Sequence, residues 1–197
     1  MNPLLNGLGC WLMTVEETCI SGLMIVHPDV HADDRGSFVK TYHEPTWHAN
    51  GLRTDWVEEY YSVSHKNVLR GLHFQLPPME HAKIVSCEFG SIFDVILDIR
   101  CGSPTYGLAY THMLDAADPV LMYIPVGMAH GFLALTEGAV VSYRVTSVYS
   151  ADNDAGILWS SAKVIWPNVQ PIISDRDAGF PSLDQFQSPF HGASYHE

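Results

Sequence analysis

The sequence is poor in positive charge. Its 197 residues carry 10 Lys and Arg against 22 Asp and Glu, which gives a formal net charge of −12. A field of that sign repels polyphosphate chains and anionic bilayers, and it argues against general binding to nucleic acids or to a membrane surface. Because cations are so few, each one is a candidate contact for a small anionic ligand.

Cysteine is also scarce, and long apolar runs are missing. The four cysteines form no CxxC motif and are too sparse for a disulfide scaffold, so we expect a reducing, cytoplasmic location. The first fifteen residues are uncharged and lack the basic segment that opens a signal peptide. The run from Val120 to Leu135 is interrupted by Pro and Gly and is shorter than the roughly 20 residues of a transmembrane helix. We therefore predict no membrane span.

The pattern of apolar residues indicates the fold class. Between Gly22 and Pro181, short runs of β-branched and aromatic residues alternate with Gly, Pro, Asn and Asp; examples are GSFVKTY, AKIVSCEF, SIFDVILDI, VLMYIP and AVVSYRVTSVY. In SIFDVILDI the alternation is clear, and it puts Asp94 and Asp98 on the side of Ile92. This spacing predicts an all-β barrel or sandwich.

The organisation of the chain is simple. We predict one domain over residues 1–182, with one helix around Glu44 to Asn50. From Pro181 onward the periodicity is lost and Ser, Pro and Gln increase. We therefore expect residues 183–197 to form a loosely attached tail.

Three polar residues share a strand face with apolar ones. Alternate residues of a strand point to the same side, and by this rule Lys83, Tyr143 and His73 each point to the apolar side of a different strand. An inward ammonium group is costly unless it meets an anion or a polar cavity. Three such residues on three strands therefore predict a ligand cavity rather than a sealed core.

Two segments contain an unusual combination of turn-forming and charged or histidine residues. In YIPVGMAHGF, the Pro and Gly residues predict one turn that brings His130 and Gly131 to the mouth of the barrel. In PIISDRDAG, Arg176 and the aspartates beside it predict a charged turn. Each segment fits an ordinary structure equally well: the first segment a hairpin turn, and the second a solvated loop.

Histidines raise the alternative of a metal site. His73, His81 and His130, with Glu80 nearby, are of the residue types that hold iron, zinc or manganese in barrels. Ligands on one strand need H-x-H spacing, and no second histidine lies two positions from His73. We expect no metal and no other cofactor, and a metal-dependent oxygenase or isomerase built on a barrel remains an alternative.

Several segments, in order, closely resemble the dTDP-4-dehydrorhamnose 3,5-epimerase family. They are VLRGLHFQLPP, HAKIVSCEFGSIFDVILDIRCGSPTYG, YIPVGMAHGFLAL, SYRVTSVYS and PIISDRD. The similarity runs from about Val26 to Pro181. It implies a cupin-type double-stranded β-helix, or jelly roll, with a few short helices and no metal. It also implies a homodimer that exchanges N-terminal strands, and action on nucleoside-diphosphate 4-keto-6-deoxy sugars in deoxysugar biosynthesis.

The resemblance also implies roles for single residues. His73 would be the general base, oriented by Asp177, and Tyr143 would be the opposing acid. The implied substrate-binding residues are Arg35, Phe38, Lys40, Glu58, Tyr60, Arg70, Gln75, Lys83, His130, Tyr149 and Arg176. Among them, Arg35 and Arg176 resemble diphosphate contacts, and Phe38 resembles an aromatic residue near the nucleotide base.

These residue types suit the implied chemistry. A ketone at C4 acidifies the hydrogens on C3 and C5, because the carbanion delocalises onto oxygen as an enolate. Inversion needs a base on one face and a proton donor on the other, and His73 and Tyr143 can supply them. Lys83 or Arg70 can stabilise the enolate oxygen.

Some residues depart from the family pattern. Lys40 stands where the pattern RGxFxE has a carboxylate, and a lysine, which only donates, suits the acceptors of cytosine better than thymine N3–H. The substrate is therefore TDP-linked or, as a hypothesis, CDP-linked. Glu58, Tyr60 and Val148 also depart near the expected sugar site, so inversion at C5, at C3 or at both is open, with C5 favoured. A non-catalytic sugar-nucleotide binding protein is the remaining alternative.

Overall fold

The computed structural model describes residues 13–168 and 170–192. In chain order their strands are β1 (Thr14–Glu17), β2 (Met24–His27), β3 (Asp29–Asp33), β4 (Gly36–Lys40), β5 (Glu58–Ser64), β6 (Leu69–Gln75), β7 (Lys83–Phe89), β8 (Ser91–Asp98), β9 (Ala109–Asp115), β10 (Leu121–Ile124), β11 (Met128–Ala134), β12 (Ala139–Val145) and β13 (Asp154–Gly156). The helices are α1 (Glu44–Ala49), a 3₁₀ turn (Trp159–Ser161) and α2 (Asp175–Ala178). Both the all-β prediction and the predicted helix at α1 are confirmed.

The strands form two main antiparallel sheets. The six-stranded sheet has the order β1-β2-β10-β7-β12-β5, and the five-stranded sheet has the order β13-β6-β11-β8-β9. Most neighbours are far apart in sequence, as the jelly-roll prediction requires. Strands β3 and β4 pair with each other in a separate two-stranded sheet. Among the described residues no helix has the length and apolar character needed to cross a bilayer.

Alternation along the strands gives each main sheet an inner and an outer face. The inner faces pack together, with Val85 and Val141 of the six-stranded sheet in one buried cluster with Ile96 and Phe132 of the five-stranded sheet. Apolar segments also cover each outer face. Trp47 of α1 packs on the outer face of the six-stranded sheet, and Phe190 of the C-terminal segment packs on that of the five-stranded sheet. Burial of this kind stabilises at roughly 25 cal/mol per Å² of apolar surface.

The C-terminal segment is part of the fold. The side chain of Phe190 is 0% exposed, and the backbone N–H of Cys101 donates to its carbonyl at 2.8 Å. The ring of Phe186 packs edge-on against Phe74 with centroids 5.2 Å apart. The expectation of a loosely attached tail is therefore wrong for residues 183–192, because two phenylalanines within a polar sequence anchor it to the sheet. Residues 193–197 lie outside the described residues.

Two predicted turns have a different structure. The turn in YIPVGMAHGF ends at Gly127, and His130 and Gly131 lie in the middle of β11. The charged turn is the short helix α2, where the hydroxyl of Ser174 accepts the backbone N–H of Asp177 at 3.2 Å. This cap fixes the direction from which Asp177 enters the molecule.

Candidate active site

A cavity of about 330 Å³ lies between the two main sheets. Most of the implied site residues line it: Glu58, Tyr60, Arg70, His73, Gln75, Lys83, His130, Tyr143, Tyr149 and Arg176. Strand alternation predicted that Lys83, His73 and Tyr143 point inward, and all three share this space. His73 comes from β6 of the five-stranded sheet, whereas Tyr143 comes from β12 of the six-stranded sheet.

His73 and Asp177 form a close pair at one wall of the cavity. The Nε2 atom of His73 is 2.9 Å from Oδ1 of Asp177, and the backbone N–H of Gly71 donates to Oδ2 at 3.0 Å. Burial opposes ionisation of Asp177, but its contacts with His73, Gly71 and Arg176 outweigh burial and hold the pKa of the carboxyl well below its usual range. Burial lowers the pKa of His73 despite the opposing effect of Asp177. The imidazole is therefore neutral at neutral pH and can accept a proton.

Arg176 reaches the same pair from α2. Its Nη2 is 2.7 Å from Nε2 of His73, and its Nε donates to Oδ1 of Asp177 at 3.0 Å. Its Nη1 donates to Oδ2 of Asp154 at 2.7 Å. Asp154 had no sequence signal, since only the folded chain brings β13 and α2 together.

Tyr143 lies on the inner face of the opposite sheet. Its ring stacks on Tyr60 with centroids 4.9 Å apart and meets the edge of His130 at 6.0 Å. Burial raises the pKa of Tyr143 far above its ordinary value and raises the pKa of Tyr60 to about 12. Both phenols stay protonated at neutral pH, so Tyr143 is a group that can donate a proton.

Lys83 supplies a positive charge inside the cavity. Its Nζ donates to the backbone carbonyl of His73 at 3.1 Å. Burial lowers the pKa of Lys83 to about 8, and the nearby carboxylates of Asp154 and Asp94 limit the shift. The ammonium is therefore mostly charged near neutral pH and is poised to lose its proton just above it.

Some residues near the cavity support it from within. Gln75 lines the cavity, but its amide is occupied: Oε1 accepts the N–H of Ser150 at 2.6 Å, and Nε2 donates to the carbonyl of Met79 at 2.7 Å. Nε2 of His130 is 2.7 Å from Oδ1 of the fully buried Asp94. Sequence reasoning missed Asp94 as a site residue, although the alternation test that found Lys83 also puts this aspartate on an apolar face.

The rim of the cavity is polar. The backbone N–H of Tyr149 donates to Oε2 of Glu58 at 2.7 Å, and the Tyr149 side chain is exposed. Arg70 is held by Ser64, whose hydroxyl accepts from its Nε at 3.0 Å. Within the described residues no group of three or more His, Cys, Asp or Glu side chains is arranged to hold a metal ion.

Three implied substrate contacts lie outside this cavity. Arg35, Phe38 and Lys40 belong to the β3–β4 hairpin, which pairs only with itself among the main-chain ladders described. The side chain of Arg35 is 90% exposed and is paired with Asp33. Phe38 and Lys40 line a separate groove, which also contains Glu58. One copy of the chain therefore does not bring these residues to His73.

Comparison with known proteins identifies relatives over most of the chain. The family model described as dTDP-4-dehydrorhamnose 3,5-epimerase matches residues 17–185. The chain is 40% identical over 178 residues to the dTDP-4-dehydrorhamnose 3,5-epimerase of Salmonella typhimurium, which covers 88% of this chain and 97% of the relative.

Solved structures give the same result. A dTDP-4-dehydrorhamnose 3,5-epimerase from Bacillus anthracis, with TDP and PPi bound, superposes with a TM-score of 0.84 at 35% identity, covering 87% of this chain and 99% of that one. A dTDP-6-deoxy-D-glucose-3,5-epimerase from Legionella pneumophila, in complex with dTDP-4-keto-L-rhamnose, gives 0.85 at 32% identity, covering 89% and 95%. The cupin-type jelly-roll prediction is thereby confirmed. The chain belongs to the dTDP-4-dehydrorhamnose 3,5-epimerase family and is an isomerase of the carbohydrate-epimerase type.

Proposed function

We propose that this protein inverts C5, C3 or both carbons of a TDP-linked 4-keto-6-deoxyhexose, in deoxysugar biosynthesis in the cytoplasm. The observation that carries the proposal is the placement of a neutral imidazole and a protonated phenol in one cavity. His73 and Tyr143 come from opposite sheets. A sugar ring between them would meet a base on one face and an acid on the other, as inversion requires.

The proposed first step is removal of the proton next to the ketone by His73. Its lowered pKa keeps the imidazole unprotonated at neutral pH. Asp177 then stabilises the imidazolium that forms, because a buried carboxylate at 2.9 Å favours the charged ring. The charged Lys83 is the proposed partner of the enolate oxygen, and its effect is strong because the side chain is buried, at 5% exposure.

The proposed second step is return of a proton by Tyr143 to the opposite face. A phenol with a strongly raised pKa gives up its proton only to a strong base, and an enolate carbon is such a base. Before the next turnover the phenolate takes a proton from solvent, and the imidazolium of His73 gives the abstracted proton to solvent. Stacking on Tyr60 fixes the direction of the phenol during this step.

The proposed nucleotide is TDP. The Bacillus anthracis relative holds TDP and the Legionella pneumophila relative holds dTDP-4-keto-L-rhamnose, which supports a TDP-linked sugar here. Lys40 in the groove beside Phe38 is the basis of the CDP hypothesis. Comparing turnover of matched TDP- and CDP-sugars decides between them, and a strong preference for TDP removes the CDP hypothesis.

We further propose that the protein is a homodimer in which the β3–β4 hairpin enters the partner's site. This arrangement would explain why Arg35 and Phe38 lie on an element separate from their own cavity. Its test is complementation between two inactive variants, His73→Gln and Arg35→Ala. Mixed dimers contain one site with an intact base and an intact hairpin, and random mixing should restore about a quarter of the wild-type activity. A mixture that stays inactive would contradict the exchange.

The experiment that tests the reaction is incubation with a TDP-4-keto-6-deoxyhexose in D₂O, followed by NMR. We expect deuterium at C5, with inversion there, and no incorporation with the His73→Gln variant as the matched control. Exchange at C3 with retention at C5 would remove the preference for C5. A wild-type protein that binds TDP but exchanges no substrate hydrogen would overturn the proposed function and favour a non-catalytic binding protein.

A further inference from the structure

One ring nitrogen of His73, the proposed base, has two close contacts that require opposite protonation of that nitrogen. Nε2 of His73 lies 2.7 Å from Nη2 of Arg176 and 2.9 Å from Oδ1 of Asp177. A guanidinium only donates hydrogen bonds, so its contact requires a lone pair on Nε2. A carboxylate only accepts, so its contact requires a proton on the same nitrogen. One neutral imidazole cannot satisfy both neighbours at once.

Two states of the ring follow from this competition. In the first, Arg176 donates to Nε2 and the ring proton lies on Nδ1, so neither nitrogen has a free lone pair. In the second, Nε2–H donates to Asp177 and the lone pair of Nδ1 is free to accept a substrate proton. Only the second state is a competent base, and only this state gives an imidazolium whose Nε2–H is already paired with a carboxylate.

We propose that Arg176 is a positioning residue that holds His73 in the first state without ligand and releases it when an anionic ligand draws the guanidinium away. The inference rests on the proposed function for the identity of that anion, the diphosphate of the substrate. The contacts of Arg176 with Asp177 and Asp154 hold the guanidinium against Nε2 of the imidazole until then.

The two competitors differ in freedom to move. The Arg176 side chain is 51% exposed and lines the cavity, whereas the Asp177 side chain is 3% exposed and is fixed by the N–H of Gly71. An incoming anion can therefore displace the arginine and leave the carboxylate in place. Bidentate contact with phosphate oxygens is a favourable alternative for a guanidinium.

The charges around His73 support this displacement. Burial lowers the pKa of the imidazole most, Asp177 raises it, and Lys83 and Arg176 lower it further. Asp154, from β13, faces the guanidinium, and His130 is the register partner of His73 on β11. Withdrawal of Arg176 removes one of the two positive charges that weaken the base, so binding of the anion strengthens the base.

The test is NMR of the full chain with ¹⁵N-labelled histidine, because long-range ¹H–¹⁵N spectra show which ring nitrogen carries the proton. The His73→Gln variant identifies the resonances of His73. In the ligand-free wild type we expect the neutral ring to carry its proton on Nδ1. Saturating TDP should move that proton to Nε2.

The Arg176→Gln variant should show Nε2–H without any ligand. Its His73 should have a pKa above that of the wild type, because one of the positive charges that lower it is removed. The matched control is Arg53→Gln. This variant also loses one positive charge, and Arg53 is likewise paired with an aspartate, Asp55, and is 45% exposed. It should leave the tautomer and the pKa of His73 as in the wild type.

Nε2–H in the ligand-free wild type would overturn the proposal, as would an Arg176→Gln spectrum that matches the wild type. Retention of the Nδ1 proton in a sample in which calorimetry shows that TDP is bound would also overturn the proposal. If Arg176→Gln fails to fold, the TDP titration of the wild type decides. If TDP does not bind, the ligand-free comparison decides. None of these readouts needs turnover, so failure of the epimerase assay is distinguishable from failure of this inference.

Discussion

Replacement of Tyr143 by Phe should separate the two halves of the reaction. The substitution removes one hydroxyl and keeps the ring that stacks on Tyr60 at 4.9 Å and packs in the inner core. The loss of one buried hydroxyl changes the free energy of unfolding by about 1 kcal/mol, so the variant should fold. Any large effect on turnover then belongs to the missing proton donor.

The size and kind of the effect follow from the placement of the two groups. Loss of a positioned acid costs about 10² to 10⁴ in rate, so inversion should slow by that factor. His73 is untouched and lies on the other sheet. It should still remove the substrate proton and return a solvent deuteron to the same face. The variant should therefore exchange hydrogen in D₂O without inverting the carbon.

The assay is NMR of the sugar nucleotide in D₂O, which measures deuterium incorporation and configuration at the same carbon. His73→Gln is the matched control and should lose both exchange and inversion. A Tyr143→Phe variant that inverts at nearly the wild-type rate would refute the assigned acid. A variant that loses exchange as completely as His73→Gln would refute the separation of base and acid on two faces.

Three further predictions concern pH and stability. The pH profile of kcat/KM should fall on the acid side as His73, whose pKa is below its ordinary value, becomes protonated. It should fall on the basic side near pH 8 as Lys83 loses its charge. Lys83→Gln should abolish the basic limb, and a limb that persists would contradict this role of Lys83. Gly71→Ala should lower the free energy of unfolding, measured in urea, by about 3 kcal/mol or more, because φ is +131° and a Cβ would lie 2.5 Å from the backbone of β11. The control Gly36→Ala, with φ +118° and no atom within 4 Å of the added Cβ, should cost less. Equal losses in the two variants would show that the close approach to β11 is not the cause. Phe190→Ala should destabilise by about 3 to 5 kcal/mol, and a loss below about 1 kcal/mol would return the C-terminal segment to the loose tail that its composition suggested.

The parts of the site that alternation can reveal were predictable from sequence. Period two along a strand is a local property, and it put Lys83 and Tyr143 on inner faces. His73 also lies on the inner face, but not by alternation from Leu69: the register of β6 against β11 shifts between Arg70 and His73, and Leu69 lies in the outer cluster with Leu72 and Phe74. The same rule marked Asp94, whose partner His130 comes from another strand. Its function as a partner was not predictable, because pairing of β8 with β11 is a property of the folded chain.

Glycine gave a misleading signal in β11. Gly131 suggested a turn, but it lies in mid-strand, where a Cβ would come 2.6 Å from the carbonyl oxygen of Arg70. The missing side chain serves the close approach of β6 and β11 and not a reversal of the chain. Sequence cannot separate these two uses of glycine, because the neighbouring backbone is absent from the pattern.

Long-range charge pairs and residues that lie outside the cavity account for the rest. Arg176 meets Asp154 across 22 positions, and no periodicity links them. Arg35, Phe38 and Lys40 sit on a hairpin outside the cavity of their own chain, so their proposed function depends on a partner. The phenylalanines of the C-terminal segment were hidden by the Ser, Pro and Gln around them, since composition does not show which side chains find a surface to cover.

The most direct measurement of the central claim is a crystal structure of the protein with a TDP-4-keto-6-deoxyhexose bound. We expect one ring carbon next to the ketone to lie about 3 to 3.5 Å from a ring nitrogen of His73 on one face and from the phenol oxygen of Tyr143 on the other. A sugar bound with both groups on the same face, or with hydrocarbon between either group and the ring, would contradict it.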